Sequence, residues 1–141
     1  MAHATAFAAA ALLGALGLVH VFWAFGGVWP ARTGPALAKA VVGPAQEAMP
    51  GAVACLGVAA LLAAAAALVL ARAELVAVPG PQWIVDVGTW VIAGVLAARA
   101  AVGLVTWVKA DHSQLYHRLD VALYSPLCLL IAALCLKVAR A

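Results

Sequence analysis

Residues 52–71 read AVACLGVAALLAAAAALVLA, twenty positions without a charged, amide or hydroxyl side chain. At about 1.5 Å per residue a helix of that length is about 30 Å long, the thickness of the hydrocarbon core of a bilayer. Arg72 and Glu74 stop the run, and the turn Val78, Pro79, Gly80, Pro81 breaks the chain behind it. Three further long apolar runs, each carrying a few polar side chains, flank it at residues 5–29, 83–108 and 119–138. The whole chain of 141 residues is 68% hydrophobic and 9% charged, against about one quarter charged in soluble domains. The expectation is an all-α integral membrane protein. It forms a single transmembrane domain over 1–141, an antiparallel four-helix bundle with both termini on the same side.

The remaining composition narrows the function. The eight Lys and Arg against five Asp and Glu give a formal charge of +3, but they are scattered and lie mostly at span ends. They read as anchors for phospholipid head groups, and a nucleic-acid surface is excluded. Cys55, Cys128 and Cys135 fall inside apolar runs with no C-x-x-C pair, so neither a disulfide framework nor a thiol redox centre is indicated. The apolar run from Ala6 to Val19 has no Lys or Arg before it and continues through His20, Trp23 and Phe25, so it reads as a retained first helix, not a cleaved signal. Pro30 closes that span, and a Gly- and Pro-rich loop of some twenty residues follows.

Four crossings put both termini and the Arg72 loop on one face, here called A. Face B receives the long loop with Glu47 and the hydrophilic loop 109–118. Three Lys and Arg on face A (Arg72, Lys137, Arg140) against four on face B (Arg32, Lys39, Lys109, Arg118) do not orient the protein. Projected onto depth, the unusual residues gather toward face B: His20 and Trp23 on the first span, Glu47 before the second, Arg99 and Trp107 on the third, and Asp120 with Tyr124 one turn below it on the fourth. Ionisable groups in spans cost about 2.5–3.5 kcal/mol each and mark function or an internal partner. Plain readings stand beside that one. His20 can bond a backbone carbonyl, Asp120 can cap its helix, and Arg99 can form a fixed pair with Asp120 or Glu47. Phe22, Trp29 and Tyr116 can belong to the interfacial belt, and His112 with His117 is a weak metal signal. Pro126 predicts a bend that frees the carbonyl of Ala122.

The segments His20-Val-Phe-Trp-Ala-Phe-Gly-Gly-Val-Trp-Pro30 and Leu119-Asp-Val-Ala-Leu-Tyr-Ser-Pro-Leu-Cys128 resemble a family of small four-helix bacterial membrane proteins without an assigned function. In size and layout the chain is similar to membrane-bound terpene cyclases of indole sesquiterpenoid pathways, of the drimentine and xiamycin kind. That resemblance implies a multi-pass protein of the bacterial cytoplasmic membrane acting on a lipid-soluble prenylated small molecule, such as a farnesylated indole. The chemistry expected is cyclisation started by a proton. A carboxyl in a dry site, Asp120 or Glu47, would supply it, tuned by Tyr124 or His20. Trp23, Trp29 and Trp107, with Phe22 and Arg99 beside the substrate, would wall the site, the indoles stabilising carbocations. No Asp-rich diphosphate and magnesium motif occurs, and no metal or other cofactor is expected. A small proton-coupled transporter using Asp120, Arg99 and His20, or a non-catalytic subunit of a membrane complex, are the alternatives.

Overall fold

The computed structural model describes residues 2–109 and 111–141; Ala110, in the hydrophilic loop, lies outside them. Among the described residues the chain is all helical. Helix α1 (Ala2–Ala24) crosses from face A to face B, and a short helix α2 (Gly34–Val41) lies at face B. Then α3 (Ala52–Arg72) returns and α4 (Gln82–Lys109) crosses again. The last crossing is composite: α5 (Leu115–Leu119), a π-helical turn (Asp120–Tyr124) and α6 (Ser125–Ala139) run on without a break. Four helices, Ala2–Ala24, Ala52–Arg72, Gln82–Lys109 and Leu115–Ala139, are long and apolar enough to cross a membrane, which makes this a multi-pass membrane protein.

Two antiparallel pairs, α1 with α3 and α4 with α6, make the most extensive contacts, and α1 joins them along α6. Ala6, Ala9 and Leu13 of α1, Val69 of α3, Ala93 of α4 and Ile131, Cys135 and Val138 of α6 form the core toward face A. Small residues at Ala6, Ala9 and Ala93 let the backbones close up where lipid offers no hydrophobic drive. At face A one side chain ties three helix ends. Arg72 donates to the Ala139 carbonyl at 3.2 Å and pairs with Asp86 at 3.5 Å.

Three sequence expectations change. The first span ends at Ala24, five residues before Trp29, because Gly26 takes the left-handed conformation (φ +86°) and closes a Schellman cap, with Gly27 N–H on Phe22 O and Gly26 N–H on Trp23 O at 3.0 Å each. The long loop is not structureless: Thr33 caps α2 by accepting from the Ala36 amide, Pro35 sits in its first turn, and Leu37, Ala38 and Ala40 are buried. Pro126 does not simply free a carbonyl. The chain widens one turn ahead of it, so that Ser125 N–H bonds Asp120 O five residues back.

Candidate functional site

The widened turn decides what Asp120 touches. In an α-helix residues five apart point about 140° away from each other, but the π turn brings Ser125 over Asp120, and Ser125 Oγ donates to Asp120 Oδ1 at 3.2 Å. Arg99 Nη2 donates to the same oxygen at 2.8 Å. The other carboxylate oxygen lies against Gly103 on α4, where an added Cβ would stand 2.8 Å from Oδ2 and would collide with Ser125 Oγ. Asp120 is 3% exposed, while 38% of the Arg99 side chain remains accessible. The fixed Arg99–Asp120 pair was the plainer sequence reading, and it is what forms. Gly103 escaped notice in the sequence. The only signal it gives there is a glycine one turn beyond the in-span arginine on the same helix face.

Tyr124 is spoken for by a different partner from Asp120. Its hydroxyl donates to the Ala40 carbonyl of α2 at 3.1 Å, and its half-buried ring leans on Tyr116. Glu47 is exposed in the loop between α2 and α3 and reaches neither Asp120 nor Arg99. Trp107 stacks on His112 with ring centres 4.0 Å apart, and His112 Nε2 lies 2.9 Å from the Trp107 carbonyl, so these two rings cap the end of α4 instead of walling a site. Phe22 and Trp29 are exposed, as rings of an interfacial belt are. In the hydrophilic loop, hydrogen bonds from Ser113 hold the Asp111 carboxyl below its usual range.

A second group of side chains does frame a space. The end of α1, the end of α2, the loop at Met49 and Pro50, and the start of α3 enclose a hollow of about 200 Å³ at face B, whose lining includes His20, Trp23, Val42, Met49, Cys55 and Val58. Trp23 stands edge-on to His20 at 5.1 Å, and its indole N–H is taken by the Trp29 carbonyl at 2.8 Å. His20 Nδ1 lies 2.8 Å from the Leu16 carbonyl oxygen. A carbonyl only accepts, so Nδ1 carries the hydrogen, and in the neutral ring Nε2 is left with a bare lone pair. Among the described residues no protein group donates to that lone pair.

The polar residues expected to converge are therefore two separate constellations. His20 bonds to the Leu16 carbonyl and packs edge-on with Trp23, and Asp120 bonds to Arg99 and Ser125; no hydrogen bond links the two groups among the described residues. Among the described residues no three metal-binding side chains come together. The family described as Protein of unknown function (DUF3995) matches residues 4–135, and the match brings no activity with it. No curated protein and no solved structure matches the chain.

Proposed function

The chain belongs to that DUF3995 family, and from this premise we propose that it binds a lipid-soluble amphiphile of the prenylated-indole class at face B, in a bacterial cytoplasmic membrane. The ligand's polar head is seated in the His20–Trp23 hollow. The supporting observation is the lone pair of His20 Nε2, left by the Nδ1–Leu16 bond beside a largely apolar lining. An indole N–H or a hydroxyl would satisfy it, and the edge of Trp23 would pack against the ring. Few polar groups in an apolar recess are the usual composition of a small-molecule site.

Cyclisation started by a proton is the stricter form of the same reading. It needs an acid beside an alkene, and Asp120 is poorly placed for that, with Oδ1 taken by Arg99 and Ser125 and Oδ2 held against Gly103. Glu47 is two residues ahead of Met49, which lines the hollow, but its exposed carboxyl lacks the dry surroundings this step needs. In lipid nanodiscs, a tritiated farnesylated indole should bind saturably, and His20→Ala should weaken it by about tenfold, the loss of about 1.4 kcal/mol expected for one hydrogen bond. Uptake no greater than that of empty nanodiscs would sink the proposal. Appearance of a cyclised product that Glu47→Gln abolishes would promote the protein from binder to enzyme.

A further inference from the structure

The hollow at face B is smaller than a farnesylated indole requires. Whole-ligand pockets measure about 300–1,000 Å³, and about 200 Å³ holds a ring-sized head alone. The rest of an amphiphile must lie elsewhere, and the structure offers one contiguous place. A groove of about 330 Å³ between α1, α3 and α4 shares Val58 with the hollow. It continues down α3 through Leu62 to Ala65, with Leu13 of α1 as floor and Ile92 and Val95 of α4 as the far wall. Every lining side chain is aliphatic. From Ala54 in the hollow to Ala65 in the groove is eleven residues of α3, about 16 Å along the axis and about half of a 30 Å hydrocarbon core.

We infer that the two spaces form one site for an amphiphile with a ring-sized donor head on His20 and a single unbranched-width tail running along α3 to the middle of the membrane. The inference rests on the proposed reading of the hollow. The packing is suited to it. The α3–α4 interface is far less extensive than α1–α3 or α4–α6, so the groove opens sideways to lipid between them, with exposed Leu61, Val91 and Val95 at its rim. A second groove, between α4 and α6, is equally apolar at about 350 Å³, but it shares no residue with the hollow. Inside a bilayer a tail gains no hydrophobic free energy by leaving one apolar medium for another. The groove therefore sets the tail's register, and the head supplies selectivity.

The test separates this from ordinary lipid contact. In phosphatidylcholine nanodiscs, a farnesylated indole with a diazirine at its tail end is photoactivated beside a phosphatidylcholine with a diazirine in its acyl chain, and labelled residues are mapped by peptide mass spectrometry. The indole probe should label residues 61–65 and 91–96, with at least tenfold loss under excess unlabelled compound, while phosphatidylcholine labels both grooves without competition. Val95→Trp, on the exposed rim, should cut the competed labelling at least fivefold and leave saturation by tritiated indole, which has no tail, within twofold. Ala97→Trp in the other groove should change neither. Saturable indole binding with tail labels spread equally over both grooves would overturn the joined site and spare the hollow. Absence of saturable binding by indole and by the farnesylated probe would overturn both.

Discussion

At the scale of single residues, the contact of α4 with the last span toward face B turns on Gly103. Replacing it with alanine improves helix propensity by about 1 kcal/mol, but the new methyl would strike Ser125 Oγ and press on Asp120 Oδ2, which Arg99 holds in place. Overpacking of this kind costs about 1–3 kcal/mol, so the collision prevails. Gly103→Ala should lower stability by up to about 2 kcal/mol in equilibrium unfolding from mixed micelles. Ser125→Ala in the same chain should recover part of that, because it removes the atom struck. The ion pair predicts a sharper result. Arg99→Met or Asp120→Leu alone leaves a charge stranded in lipid and should cost about 3–5 kcal/mol, whereas the double substitution should cost less than either. Two single losses that merely add would show that the pair is not coupled. The pairing itself was legible in the sequence, since two opposite charges in facing spans have few other partners at that depth. Gly103 was not, because a glycine in an Ala-rich membrane helix announces neither its face nor its neighbour.

At the scale of elements, the π turn is where sequence reasoning and structure part. The four spans followed from length and polarity alone, but the fit of Asp120 and Tyr124 assumed α-helical spacing through Pro126. One wide turn brings Ser125 over the carboxylate, while the Tyr124 phenol bonds α2. Helix α2 was illegible for a separate reason. Its eight residues are too short to read as a periodic pattern, and they are held by the Thr33 cap and by packing against α5, not by propensity. The Tyr124 hydroxyl is then a clasp between the last span and the loop that covers face B. Tyr124→Phe should leave the bundle folded and lower the local stability of α2 by about 0.5–1.5 kcal/mol. Faster amide exchange confined to residues 37–43 would register it, whereas unchanged exchange there would mean that α2 is held without the phenol. The aromatics divide on the same ground. Hydropathy cannot tell an interfacial ring from a wall, and only the fold back of residues 25–29 separates Trp23, in the hollow, from Trp29 outside it.

At the scale of the molecule, the arrangement is two closely packed helical hairpins, α1–α3 and α4–α6, joined by two lighter seams, α1–α6 and α3–α4. Charge does not say which face meets the cytoplasm, because the Lys and Arg divide three to four between the faces. Geometry does say which segments share a face. Arg72 connects the end of α3 to the end of α6 and the start of α4, and Ala2, His3 and Ala141 border a hollow beside it. Tyr124 joins α2 to the last span at the opposite end. Single cysteines placed at His3 and Glu74 should therefore react with a membrane-impermeant maleimide from one side of sealed vesicles, and those at Glu47 and Ser113 from the other. The native thiols, within the spans and buried or half-buried, should stay silent to that reagent. Either orientation of the whole protein satisfies the expectation. Labelling at His3 and Glu74 from opposite sides would not, since α1 and α3 could then not both cross, and with them would go the placing of His20 and the open α3–α4 cleft in the same half of the membrane.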